Sequence, residues 1–329
     1  MFILGLQGSP RKGGNTDILL ATFLEKAAAA GAAVQTIQVA RAGITPCKGC
    51  GYCESHGTCV IADDPMAKQI FGLLRQADMV VAASPIYFYG ASAQLKVLID
   101  RCQTLWSRKY AFKLKDPLVA TREGILLSVA ASRGRQLFDG LQLTAKYFFD
   151  AIDARFSQAL TYRGIEGKGA IRDQAGVAGD IDAIIEKSVR PLVARKGILF
   201  VSRQGACRAP LAAAMAQQRY GDRIRATFGA LQPAATLSAP MRQMMQNLGV
   251  DLGYWQPAPL DDAMHGLRPD LVVTIGAAAT EPPIAGVETV NWPIPAAPDA
   301  DDAAEALRLT MATHVDGLIH WIEAPISRK

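Results

Sequence analysis

A chain of 329 residues has room for two domains at roughly 100–200 residues each. Half of its residues are hydrophobic and 20% are charged, which excludes a mainly disordered chain, and no apolar run reaches the roughly 18 residues of a membrane span. The formal net charge of +5 comes from residues 1–193, with 23 Lys and Arg against 17 Asp and Glu, while residues 194–329 hold 12 against 13; the excess is scattered, which excludes a nucleic-acid face and suits an anionic cofactor.

Met1–Leu6 is apolar but has no basic leader or small-residue cleavage site, so it reads as part of a first strand, Phe2–Gln7, and not as a signal peptide. A cytoplasmic, reducing location is the resulting expectation. A helix follows at Thr16–Ala30, a strand at Val34–Val39, a helix at Pro65–Gln76 and a strand at Met79–Ser84. Helix Ala91–Leu105, strand Gly124–Ala130 and helix Gln136–Ala151 continue the alternation. Continuous apolar strands between helices predict a parallel sheet covered on both faces. A helical stretch at Ile181–Val193 ends this part, and the pattern restarts near residue 195. Strands are predicted at Gly197–Val201, Ile224–Phe228, Asp270–Ile275 and Val287–Asn291, with helices at Ala209–Tyr220, Ala239–Leu248 and Asp301–Ile322. The expected architecture is α/β throughout: residues 1–193 as a doubly wound domain and residues 194–329 as a second, smaller α/β domain.

Between the first strand and helix lies Gly8-Ser9-Pro10-Arg11-Lys12-Gly13-Gly14-Asn15-Thr16. Such a loop can wrap a phosphate with backbone N–H groups at a helix N-terminus. Ser9, Asn15 and Thr16 add side-chain donors, and Arg11 and Lys12 add charge. It has neither the P-loop pattern nor the dinucleotide fingerprint, so a phosphate monoester is the ligand class it suits; a ligand-free polar turn is the alternative. Ser84-Pro85-Ile86-Tyr87-Phe88-Tyr89-Gly90 leaves the third strand at its carboxyl end, where open α/β sheets bind ligands. Its aromatics suit a flat ring, or, taken singly, ordinary core packing. Ser128–Gly134 leaves the next strand at the same edge.

Cys47-x2-Cys50-x2-Cys53-x5-Cys59 holds four of the six cysteines. Four thiolates on a compact, glycine-rich loop suit a cubane iron–sulfur cluster. An empty thiol loop and structural zinc are the alternatives, although zinc sites more often come as two separated pairs. His56, inside the loop, is expected to be exposed, and Cys102 to be a buried small hydrophobe.

Taken together, Gly8–Thr16, the cysteine cluster, Ser84–Gly90 and Ala93-Gln94-Leu95-Lys96 resemble the flavodoxin-fold NAD(P)H-dependent FMN reductases, in particular their iron–sulfur flavoprotein branch, over about residues 1–175. The resemblance implies a flavodoxin-like fold and FMN at the sheet's carboxyl edge. The phosphate would sit on Ser9, Arg11, Lys12, Asn15 and Thr16, and the isoalloxazine near Pro85, Ile86, Tyr87, Phe88 and Gly90. It implies a [4Fe–4S] cluster on Cys47, Cys50, Cys53 and Cys59, and a homodimer or tetramer. NAD(P)H or a redox protein would supply electrons to a small acceptor or partner. The chemistry would be flavin-centred, with no protein base required.

In the second half, Ile198–Pro210 resembles the signature loop of low-molecular-weight tyrosine phosphatases and the related arsenate reductases, Cys-x5-Arg-[Ser/Thr]-Pro. Here Ser202 stands at the nucleophile position and Ala209 replaces the hydroxyl residue after Arg208. Trp292–Pro298 has alanine where an acid loop would carry Asp-Pro. A serine there needs a partnered base, and no histidine lies in the motif. The expectation is a catalytically dead phosphatase-like domain, with Ser202, Gly205 and Arg208 still able to bind an anion and Cys207 either redox-active or structural. Phosphatase or arsenate reductase activity through this domain, and a non-enzymatic docking or anion-sensing role for it, are the alternative functions.

Overall fold

The computed structural model describes residues 1–264, 267–276, 284–295 and 301–324; His265 and the Ala296–Pro298 part of the expected acid loop lie outside them. The chain divides into two compact units, Met1–Val193 and Ala194–Lys329.

In the first unit, β1 (Phe2–Gln7), β2 (Ala33–Gln38), β3 (Met79–Pro85), β4 (Glu123–Ala130) and β5 (Arg155–Arg163) form one sheet in the order β2-β1-β3-β4-β5. Every pair is parallel, with Phe2 beside Ala33, Ile3 beside Met79 and Val80 beside Gly124. This is the flavodoxin-like order, whose topological switch point lies between β1 and β3. β1 and β4 are buried at every residue, which is what a central strand sandwiched by helices requires. Helices α1 (Asn15–Ala29), α2 (Tyr52–His56), α3 (Phe71–Gln76), α4 (Ala93–Arg101), α5 (Gln103–Tyr110), α6 (Asp139–Ala151), α7 (Val177–Ile184) and α8 (Arg190–Val193) complete the unit. Leu19, Leu20, Phe23 and Ala27 of α1 and Ile181 and Ile184 of α7 pack on Ile3, Val81 and Ile125 of the sheet.

Three departures from the sequence reading have local causes. The helix expected at Ala91–Leu105 is two helices, interrupted at Cys102. The runs expected at Pro65–Gln76 and Ile181–Val193 each contain one π-helical turn, Met66–Ile70 and Ile185–Val189. β5 was not anticipated: its interior residues are all half-buried, so it carries no continuous apolar run.

The amino edge of this sheet is closed by a buried ionic network. The Arg122 guanidinium donates to the carbonyls of Ala77 (2.8 Å), Ile152 (3.0 Å) and Arg75 (2.6 Å) and to Asp116 Oδ1 (2.9 Å). Arg75 pairs with Asp116 (3.4 Å) and Asp153 (3.2 Å), and the side chains of all four residues are at most 2% exposed. Arg122 therefore ties together the residues that precede β3, β4 and β5.

The second unit repeats the principle on four strands. β6 (Lys196–Ser202), β7 (Ile224–Ala230), β8 (Leu271–Ile275) and β9 (Glu288–Trp292) form an all-parallel sheet in the order β7-β6-β8-β9. Its helices are α9 (Arg208–Tyr220), α10 (Ala239–Asn247), α11 (Leu260–Ala263) and α12 (Asp301–Glu323). Leu307, Met311, Val315, Leu318 and Ile322 recur at helical spacing along α12 and enter the core with Phe200, Met241 and Trp292.

Replacing Arg122 would remove a buried donor from three carbonyls and one of the two arginines that pair with Asp116. Arg122→Met is expected to lower the stability of the first unit by about 3–5 kcal/mol, read as a shift in its urea unfolding midpoint.

Candidate functional site

Three loops leave the carboxyl edge of the first sheet, after β1, β3 and β4, and buried serines stitch them together. Gly8 N donates to Ala83 O (2.8 Å), and Ser92 Oγ donates to Gly8 O (2.6 Å) while accepting from Leu95 N (3.2 Å) as the N-cap of α4. Ser92 N donates to Ser84 Oγ (3.0 Å), and Ser128 Oγ donates to Ser84 O (2.7 Å). A Cβ at Gly8 would stand 2.8 Å from both Ala83 O and Leu95 Cβ, so only glycine allows this approach. Ser92 is a site residue that the sequence reading missed, although a serine just before a helical run is an N-cap signal.

Within the glycine loop, Ser9 and Thr16 are buried and Arg11 and Lys12 are exposed. Arg11 N donates to Ser9 Oγ (3.2 Å) and Gly13 N to Asp17 Oδ2 (2.8 Å). Asn15 faces elsewhere: its Nδ2 donates to Gly167 O (2.8 Å) and its Oδ1 accepts from Ile171 N (3.3 Å). That tie brings in a cation that no local signal marks. A Cβ at Gly13 would lie 3.5 Å from Lys168 Cε and 3.8 Å from its Nζ, so the ammonium stands over the loop that carries Arg11 and Lys12.

Tyr87-Phe88-Tyr89-Gly90 is a tight turn closed by Tyr87 N→Gly90 O (3.2 Å) and Gly90 N→Tyr87 O (2.9 Å). Phe88 (φ 49°) and Tyr89 (φ 62°) both occupy left-handed backbone, which bulky side chains rarely adopt. Core packing does not account for these aromatics: Tyr87 is 38% exposed and Phe88 is fully exposed. The turn is braced by the loop after β4 and the first turn of α6, since a Cβ at Gly134 would stand 2.9 Å from Tyr89 Oη and one at Gly140 2.7 Å from Tyr89 O. Strain of this kind, held by its surroundings, marks functional loops. Pro85 and Ile86 are half-buried at the base of the turn.

All four clustered cysteines are free thiols and line one cavity of about 580 Å3, together with Arg101, Gln103 and Thr104. Gly49, Gly51 and Gly57 take left-handed φ values of 62°, 69° and 65°, which lets the chain reverse repeatedly around the cavity. Cys53 Sγ accepts from Ser107 Oγ (3.5 Å) and Cys47 Sγ from Gly49 N (3.5 Å). His56 is exposed, with its ring stacked on Tyr52 at 3.9 Å. Among the described residues, no three His, Cys, Asp or Glu side chains converge closely enough to hold a single metal ion. A four-iron cluster asks for something else, because each thiolate sits on its own iron. Four thiols around one cavity supply that donor set. Arg101 also lines the cavity, and its Nε–H is buried without a hydrogen-bond partner. Cys102, by contrast, lies in the core, where burial pushes its thiol up to about 12.

In the second unit, Ser202 ends β6 and its Oγ accepts from Gly205 N (3.3 Å). Arg208 is turned toward β8 and the segment after β9: its Nη1 donates to Ile294 O (2.7 Å), and a Cβ at Gly276 would meet it at 2.3 Å. Burial pushes the Cys207 thiol up, against the opposing pull of Arg208. His314 hydrogen-bonds Thr310 O of its own helix and packs on Trp292.

Residues 1–150 match the family described as NADPH-dependent FMN reductase. The chain is 37% identical over 133 residues to an iron–sulfur flavoprotein of Methanocaldococcus jannaschii, covering 40% of this chain and 64% of that protein. An iron–sulfur flavoprotein of Methanosarcina thermophila is 38% identical over 133 residues, with coverages of 40% and 65%. The match thus spans just under two thirds of these curated relatives. Among solved structures, an arsenate reductase in the phosphate-binding state aligns with a TM-score of 0.35 at 21% identity, over 39% of this chain and 99% of its own. No described helix is long and apolar enough to cross a membrane.

The loop's acid sensitivity follows from Asp64. Burial alone would raise its carboxyl, but donors from Arg101, Ala67 N–H and Thr45 N–H hold it below the ordinary carboxylate range. Because the folded value lies below the unfolded one, this stabilisation is present above about pH 4 and is lost as pH falls through the folded value. Asp64→Asn is expected to be less stable than the parent by about 3 kcal/mol at pH 7, with the gap closing below about pH 4 in urea titrations at each pH.

Proposed function

We propose that this chain is an FMN-dependent oxidoreductase whose first unit binds FMN at the carboxyl edge of its sheet and holds a [4Fe–4S] cluster in the cysteine loop. The observation that carries the reading is the union of three carboxyl-edge loops at the switch point, through Gly8, Ser84, Ser92 and Ser128, in the part of the chain that matches the FMN reductase family. FMN would supply hydride acceptance and one-electron transfer there, and the cluster one-electron transfer. The chain's own residues bind and orient. Ser9, Thr16 and the free backbone N–H groups at the start of α1 offer donors to the phosphate, and Arg11, Lys12 and Lys168 offer charge. Asn15 braces the outer wall of that loop by holding the 167–171 segment. Pro85, Ile86, Tyr87, Phe88 and Gly90 form the wall for the ring. Cys47, Cys50, Cys53 and Cys59 are the cluster ligands.

NAD(P)H or a reduced redox protein is the proposed electron source, and a small molecule or partner protein the acceptor; the working form is a homodimer or tetramer in the cytoplasm. The second unit has no catalytic role in this reading. Ser202 lacks the acidity of the cysteine that its resemblance calls for, and Arg208 is engaged by Ile294 O. An anion-binding or docking role is the use left to its loop of Ser202, Gly205 and Arg208.

Flavin fluorescence quenching separates phosphate recognition from ring recognition. Arg11→Ala combined with Lys168→Ala is expected to raise the Kd for FMN about tenfold or more while leaving that for riboflavin unchanged. Equal loss for both flavins, or no flavin binding by the parent chain, would contradict the assignment.

A further inference from the structure

The cysteine loop is an excursion of the chain whose two feet, Thr45 and Ile61, must be held together if the four thiols are to share a cavity. One buried side chain does this. Arg101, the last residue of α4, donates from Nη1 to Thr45 O (2.7 Å) and from Nη2 to Ile61 O (3.2 Å). Its remaining reach goes to Asp64 through both Nη atoms, at 2.5 and 3.2 Å. Asp64 in turn accepts from Thr45 N (3.0 Å) and Ala67 N (3.1 Å), so the guanidinium and carboxylate grip the first foot from both its carbonyl and its N–H. Both side chains are buried, at 0% and 7% exposure. The guanidinium also lies within hydrogen-bonding range of the Cys59 side chain, and its Nε–H is buried without a partner.

Resting on the cluster reading above, we propose that Arg101 is the positioning residue of the cysteine loop: it closes the loop's feet onto Asp64 and sets a fixed positive charge beside Cys59. The fork geometry matters as much as the charge. A planar guanidinium reaches two carbonyls and a carboxylate at once, which an ammonium on a flexible stem does not. A buried cation beside a thiolate ligand stabilises the more negative, reduced form of a cluster and so raises its reduction potential, and the groups that hold metal ligands in place govern retention.

The test uses the full chain, purified anaerobically, as parent, Arg101→Met and Arg101→Lys. Iron and acid-labile sulfide are counted before and after a chelator challenge, the potential of the loaded fraction is titrated, and FMN per chain reports folding. Arg101→Met is expected to lose the cluster about tenfold faster or more, with a more negative potential in whatever remains, at unchanged FMN content. Arg101→Lys is expected to lose retention but keep the parent potential, because the charge survives and the fork does not. In the metal-free proteins, limited proteolysis between residues 46 and 60 should be faster in both variants. Retention and potential like the parent in Arg101→Met overturn the proposal. Should that variant not fold, parent-like retention and proteolysis in Arg101→Lys overturn it. A parent chain that takes up no iron and sulfide overturns the cluster reading itself and this proposal with it, whereas a loading parent with indifferent variants overturns the strap alone.

Discussion

Helix α4 is pinned at both ends by buried polar groups, and each end serves a different loop. At its start, the Ser92 hydroxyl caps the helix and holds the carbonyl of Gly8. At its end, Arg101 holds the feet of the cysteine loop. Nine residues at 1.5 Å each set these anchors about 13 Å apart. Everything proposed for the first unit depends on that one rigid spacer. The flavin edge and the cysteine loop are both tied to this helix, through buried side chains at its two ends.

The two edges of the sheet are built for different purposes. At the amino edge, Arg122 meets three carbonyls and Asp116 in full burial, and nothing is left open. At the carboxyl edge, the buried serines satisfy one another across loops while the aromatic turn beyond them stays in solvent. Two adjacent left-handed residues, Phe88 and Tyr89, are costly to hold, and Gly134 and Gly140 leave the room that makes them tolerable. The second unit has the same winding but a different loop economy: its arginine is bound to the protein's own backbone.

Much of this was legible in the sequence because the informative features are local. Buried strands such as β1 and β4 are continuous apolar runs, and the four cysteines lie within thirteen residues of one another. What escaped is what depends on distant partners. β5 lies at the sheet's edge, where half-burial allows Ser157, Gln158 and Thr161 among its apolar residues, so no run announces it. Asn15 was read as a phosphate donor from its place in the loop, but the 167–171 segment claims its amide. Lys168 reaches the same loop from more than 150 residues away in the chain. Arg101 shares the buried face of its helix with Leu95 and Leu98; a buried arginine has no apolar signature, because what justifies it is a carboxylate at Asp64 and two carbonyls.

Two cofactors in one unit of one chain are the central claim. The most direct measurement is the absorption spectrum of the anaerobically purified protein, with flavin, iron and acid-labile sulfide counted per chain. The account predicts flavin bands over a broad visible shoulder, about one FMN and about four irons with matching sulfide, the shoulder bleaching on reduction. Flavin with no iron would contradict the cluster, and iron bound without sulfide would make the cysteine loop a site for single metal ions instead.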